Sequence, residues 1–196
     1  MKPVLLLLGV LLGSAHAQIG TPAPDFTLKS CDGKSISLSV FKGRPVVLEW
    51  TSSECPFVAK QYDTGAMQKL QQEALAKGVV WLSICSSAPG KPGYATPAEA
   101  VELCAKRGSH ATAYLLDGEG SVGKLFGAKR TPEMYVINKE GILAYHGAID
   151  DKKSLDPADV GVPMNYVAAA LDDILAGTPV AVPYTEAYGC SIKYAR

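Results

Sequence analysis

"EWTSSECPFVAKQY", Glu49 to Tyr62, holds one cysteine where an apolar run ends and a helical pattern begins. Upstream, "RPVVLEWT" is β-branched and aromatic and reads as a buried strand. Downstream, Pro56 suits the first position of a helix, where its missing N–H is not needed, and this makes Cys55 the N-cap. From Pro56 to Lys77 the pattern is helical, with Met67, Leu70, Ala74 and Leu75 on one face and Gly78 as a stop. Asp63-Thr64-Gly65 is placed to divide that helix in two. A sulfur at the N-cap faces backbone N–H groups that lack partners and the positive end of the helix dipole. Both favour the thiolate, the form that attacks disulfides and peroxides. Cys55 is therefore a candidate nucleophile, the alternative being a buried, inert thiol.

Working outward, "GVVWLSIC" is a second buried strand, and "TPAEAVELCAKRG" is a helix opened by a Thr96/Glu99 capping box with Pro97 inside it. "TAYLLD" is a further strand and "SVGKLFG" a short helix. "EMYVINKEGILAYHG" gives two strands turned at Asn138 to Gly141. "PMNYVAAALDDILAG" is a closing helix with Tyr166, Ala170 and Ile174 along one side, followed by a tail of proline and small residues. Ahead of all these, "TPAPDFTLKSCDGKSISLSVFKG" alternates over Phe26 to Leu28 and Ser35 to Leu38 around Asp32-Gly33, which predicts a β-hairpin. The order predicts a mixed α/β layer fold whose first strands are parallel and whose closing hairpin is antiparallel. In such sheets chemistry lies at the carboxyl ends of the parallel strands, where Cys55 falls.

The composition, 47% hydrophobic and 19% charged, is that of a soluble globular chain. "MKPVLLLLGVLLGSAHAQIG" reads as a secretory signal cut after Ala17, since its apolar run is well short of the roughly 20 residues that span a bilayer. The expected organisation is a signal over 1–17, one domain over 18–177 and a tail over 178–196. The mature chain then has 18 basic and 19 acidic side chains, which offers no field for nucleic acid, and no membrane anchor after cleavage. A periplasmic or secreted location follows. All five cysteines, at 31, 55, 85, 104 and 190, would meet an oxidising compartment, and an odd number leaves at least one unpaired within the chain. With only His110 and His146 remaining and no closely spaced cysteine pair, no metal site is expected.

"VVLEWT", "ECPFVAKQY", "SSAPGKPGY", "LLDGEGSVGKLFGAKRTPEMYVINKEGILAYHGAIDD" and the closing "YGCSIKY" together resemble the thioredoxin-like redoxins. More closely, they resemble secreted or periplasmic proteins related to alkyl hydroperoxide reductase and thiol-specific antioxidant. The resemblance covers most of the mature chain and implies a thioredoxin-like fold: a central mixed sheet flanked by helices, with an N-terminal hairpin and a C-terminal tail. It sets Cys55 at the first cysteine of the thioredoxin pair. Val58 takes the second place, and Ser52 takes the upstream position where some relatives keep a cysteine. Peroxiredoxins place a threonine three residues ahead of the reactive cysteine; here Thr51 is four ahead, and "VVLEWT" lacks their upstream proline.

By the same resemblance Glu49, six residues before Cys55, matches a buried acid that moves protons, its alternative being an outward-facing strand residue. Thr131-Pro132 matches a cis proline beside the active cysteine, and the Thr131 backbone would dock substrate by strand-like hydrogen bonds. Cys190 lies in the Gly-Cys-Ser-x-Lys-Tyr ending. An extended chain from Gly177 to Cys190 reaches roughly 40 Å, enough to return to the active edge. Cys190 is thus the first candidate partner for Cys55, and Cys85, at the end of the neighbouring strand, the second. A Cys85–Cys104 bridge is also open; Cys104 is expected on the apolar face of its helix beside Val101 and Ala105. Cys31 is expected in an exposed turn without a catalytic part. Lys60 and Tyr62 read as solvated surface, or as groups that hold a thiolate or peroxide oxygen.

The expected activity is that of a thiol:disulfide oxidoreductase or antioxidant protein with Cys55 as nucleophile, resolved by Cys190 or by an external thiol, with thiol peroxidase and a non-catalytic binding module as alternatives. Implied partners are protein or small-molecule disulfides or peroxides and an external thiol reductant; no cofactor is implied.

Overall fold

The chain enters through the expected hairpin, β1 (Thr27–Ser30) and β2 (Ser35–Ser37). It continues through β3 (Val46–Trp50), α1 (Pro56–Asp63), α2 (Ala66–Ala76), β4 (Val80–Cys85), α3 (Pro97–Arg107), β5 (Ala113–Leu116) and α4 (Ser121–Phe126). A two-residue strand, β6 (Arg130–Thr131), precedes the hairpin β7 (Glu133–Ile137) and β8 (Leu143–Gly147), and α5 (Tyr166–Ala176) and β9 (Cys190–Ser191) close the chain. The computed structural model describes residues 17–160 and 164–195. Apart from Ala17, the expected signal lies outside the described residues.

Seven strands form one sheet in the order β2-β1-β5-β4-β3-β7-β8. β3, β4 and β5 are parallel neighbours, while β7 and β8 add antiparallel strands beyond β3. This is the thioredoxin-like arrangement that the resemblance implies. β3 is buried along its whole length and faces two cores. Val47 meets Met67, Leu70, Trp81, Val167 and Ala170 under α1, α2 and α5. Val46, Leu48 and Trp50 meet Leu82, Ile84, Phe126 and Tyr135 on the opposite face.

The helix after Cys55 divides at Thr64-Gly65 as expected, because Gly65 adopts a left-handed φ of 80° that ends one helix and starts the next. The Thr96/Glu99 capping box is fully formed. Two expected faces turn differently. In α2 the inward stripe is Met67, Leu70, Gln71 and Ala74, and Leu75 is exposed. In α3 only Ala100 is buried; Val101 and Ala105 face water, and Cys104 is half-buried beside Leu103.

Candidate active site

β3 delivers the chain to the edge of the sheet, and the Thr51–Glu54 loop turns it into α1 with Cys55 at the N-cap and Pro56 at the first helical position. The loop is held from outside: the Arg107 guanidinium donates to the Ser52 carbonyl at 3.1 Å and the Ser53 carbonyl at 3.3 Å, and stacks over the Tyr62 ring. Cys55 is only 1% exposed. Its sulfur lies 2.9 Å from the Thr131 carbonyl, where the thiol can donate, instead of closing a full capping bond. The Thr131–Pro132 peptide is cis, as the resemblance implies.

Cys190 comes to the same place. β9 pairs antiparallel with β6, setting Cys190 opposite Thr131 and Ser191 opposite Arg130. Burial alone would raise the Cys55 thiol, but the polar groups around it, the Cys190 and Thr131 side chains and the Val58 and Cys190 amides, outweigh it. Together they hold Cys55 below the ordinary thiol value. Cys190 moves the other way: burial and the neighbouring Cys55 push it up to about 11. The two sulfurs thus form an asymmetric pair, with Cys55 the more acidic thiol and Cys190 the less acidic one.

The tail that carries Cys190 is fastened residue by residue. Tyr188 donates to Asp150 and packs edge-on against Phe57. Gly189 adopts φ 123° and lies so close to the Thr131 carbonyl that any side chain would collide with it. The Ile192 amide donates to the Lys129 carbonyl at 3.1 Å, and the Lys193 carbonyl accepts from the Ala88 amide at 2.9 Å. The "YGCSIKY" ending is therefore a strap along the active edge.

Beneath the edge lie two buried acids. Glu49 is fully buried, which overturns its outward-facing alternative. It accepts from Trp81 Nε1 at 2.9 Å, Ser83 Oγ at 2.8 Å and the Tyr62 hydroxyl at 3.2 Å. None of its described hydrogen bonds reaches Cys55. Glu133 follows the cis proline and accepts from the Lys129 and Arg130 amides, both at 2.7 Å, and from His146 Nε2 at 2.7 Å. Burial would raise the Glu133 carboxyl, yet these partners hold it below its ordinary value. Glu133 so fixes the β6 loop that meets the strap.

Other expected residues fall elsewhere. Cys85 is buried in a separate cluster with Tyr114 and Ala100, its thiol 3.2 Å from the Gly93 carbonyl. Cys104 has Cys31 as its cysteine neighbour, and burial together with that thiol pushes it up to about 11. Cys31 itself is half-buried, not exposed. Lys60 and Tyr62 are not solvated surface: both are buried, Lys60 Nζ donating to the Ser154 carbonyl at 2.6 Å and Tyr62 to Glu49. Sequence reasoning missed Arg107, Glu133 and Tyr194; of these Glu133 and Tyr194 carried a signal, their places beside Pro132 and in the closing "YGCSIKY".

Comparison with known proteins agrees with the thioredoxin-like fold. The chain is 30% identical over 138 residues to chloroplastic peroxiredoxin Q of Triticum aestivum, covering 70% of this chain and 61% of that protein. It is 27% identical over 137 residues to the thiol:disulfide interchange protein DsbE of Yersinia pestis, covering 68% of this chain and 66% of that one. Among solved structures, an uncharacterised conserved protein from Geobacillus kaustophilus superposes with a TM-score of 0.80 at 27% identity, over 91% of this chain and 93% of its own. The model of the family described as Redoxin matches residues 18–161, and the chain belongs to that family.

Proposed function

We propose that the protein is a thiol:disulfide oxidoreductase in which Cys55 attacks and Cys190 completes the reaction. The observation that carries this reading is the β6–β9 pairing, which sets Cys190 opposite Thr131, the residue whose carbonyl touches the Cys55 sulfur. The Cys55 thiolate attacks one sulfur of a substrate disulfide, the S–S bond breaks, and the departing thiolate takes up a proton. Cys190, losing its proton, then attacks the Cys55 sulfur of the mixed disulfide and expels the second substrate thiol. The substrate gains two electrons and the enzyme is left with a Cys55–Cys190 disulfide. An external thiol reductant restores the dithiol by the reverse exchange.

Peroxide reduction is the second reading, supported by the peroxiredoxin Q relatives. There the thiolate would attack an O–O bond, an alcohol or water would leave, and Cys190 would displace water from the sulfenic acid. Exchange is preferred because Thr51 stands four residues ahead of Cys55 and not three. Residues 18–177 would form the catalytic domain and 178–196 its resolving tail. The leader-like start supports a periplasmic or secreted location, and among the described residues no helix is long and apolar enough to cross a membrane.

The proposal is tested by alkylating the reduced protein with iodoacetamide across a pH series and quantifying each cysteine peptide. A lowered Cys55 pKa means its thiolate, and hence its labelling rate, reaches half-maximum at a lower pH than for an ordinary thiol. Cys190, held as thiol until about 11, should label only at high pH. Equal profiles for the two cysteines would contradict the assignment.

A further inference from the structure

A two-residue strand pair does not by itself hold a chain end in water. The strap has an anchor beyond it. Tyr194 packs its ring against Gly120 and Gly123, its hydroxyl donates to the Ala128 carbonyl at 2.7 Å, and Lys124 Nζ stands 5.7 Å from the ring centre. Gly123 lies within α4, where other residues would raise helix propensity. Its lack of a side chain has a steric reason. A Cβ there would overlap the Tyr194 hydroxyl and lie 2.9 Å from Tyr194 Cε1 and 2.8 Å from Ser86 Oγ. Burial pushes the Tyr194 phenol up, so it remains a neutral donor.

With Tyr194 seated, the main chain from Cys190 to Lys193 occupies the edge beside Pro132 through its bonds to Thr131, Lys129 and Ala88. That is the edge an extended peptide substrate would need for strand-like docking. What remains beside Cys55 is a cavity of 160 Å³ bordered by Ser52, Ser87, Pro92, Thr131 and Cys190. This is below the roughly 300 Å³ at which ordinary ligand pockets begin.

We infer that Tyr194 is a latch: seated between Gly120 and Gly123, it keeps the tail on the Thr131 edge and restricts Cys55 to small disulfides, excluding protein disulfides. This rests on the assignment of Cys55 and Cys190 above. Releasing the latch frees the edge for an extended peptide. It also loosens the delivery of Cys190, so substrate preference is the quantity that changes.

The test compares the wild type with Tyr194→Ala, Gly123→Ala and Tyr194→Phe, measuring reduction of bis(2-hydroxyethyl) disulfide and of insulin disulfides. The wild type should favour the small disulfide. Loss of a contact worth about 1.4 kcal/mol shifts the latch equilibrium tenfold, so Tyr194→Ala and Gly123→Ala should raise the insulin-to-small-disulfide rate ratio roughly tenfold. Tyr194→Phe, which still fills the slot but loses the bond to the Ala128 carbonyl, should fall between the wild type and Tyr194→Ala. Hydrogen exchange at the Ala88 amide, a donor to the strap, should speed up in the two unlatched variants. If Gly123→Ala does not fold, Tyr194→Ala near the chain end carries the test. An unchanged ratio with faster Ala88 exchange, unchanged exchange, or a wild type that prefers insulin would each overturn the latch. Failure of the underlying reading looks different: no reduction of either substrate, or activity that survives Cys55→Ser.

Discussion

Cys55→Ser should lower the reduction of a small disulfide by about a thousandfold or more, since it removes the group on which every later step depends. A serine hydroxyl is not ionised near neutral pH and cannot form the mixed disulfide. Its oxygen is nonetheless a good N-cap, so α1 should keep its start at Pro56. Activity and fold therefore separate in this variant. The rate of thiol release should collapse while the thermal midpoint stays near that of the wild type. A variant that keeps the wild-type rate would remove Cys55 from the chemistry.

The second large effect is on stability and belongs to Glu49. This carboxylate is fully buried and receives Trp81 Nε1 at 2.9 Å, Ser83 Oγ at 2.8 Å, the Tyr62 hydroxyl at 3.2 Å and, more weakly, Gln71 Nε2 at 3.5 Å. These donors come from β4, α1 and α2, so one side chain ties three elements to β3. Glu49→Leu keeps an apolar body of similar length but leaves Trp81 Nε1, Ser83 Oγ and the Tyr62 hydroxyl without this acceptor. The expected cost is about 3–5 kcal/mol, which in a domain of this size lowers the thermal midpoint by roughly 10 °C. A midpoint within a degree or two of the wild type would show that the network does not brace the sheet.

Much of the fold was legible because its signals are local. β3 and β4 are continuous apolar runs, Pro56 marks the start of α1, and the Thr96/Glu99 box marks that of α3. Cys55 at the strand end and the cis Thr131–Pro132 bond beside it also follow the sequence reading. What was not legible depends on distant partners. Lys60 looks like surface until its ammonium finds the Ser154 carbonyl, and Tyr62 until it meets Glu49. β6 and β9 have two residues each, too few for any periodicity to register, and they exist because each supplies the other's hydrogen bonds. Leu75 and Val101 sit on stripes that the apolar pattern alone turns inward, whereas the packing of α2 and α3 turns them to water. Glu133 is an acid at the head of an apolar strand, and the amides of the preceding loop together with His146 explain it.

We propose that Cys55 and Cys190 act as one redox pair. This is tested most directly by treating the reduced wild-type chain with one equivalent of a small disulfide, blocking free thiols, and mapping the linked peptides by mass spectrometry. A Cys55–Cys190 linkage should be the dominant product, with Cys85 alkylated. A Cys55–Cys85 linkage, or a Cys55 that stays free while Cys190 pairs elsewhere, would contradict it.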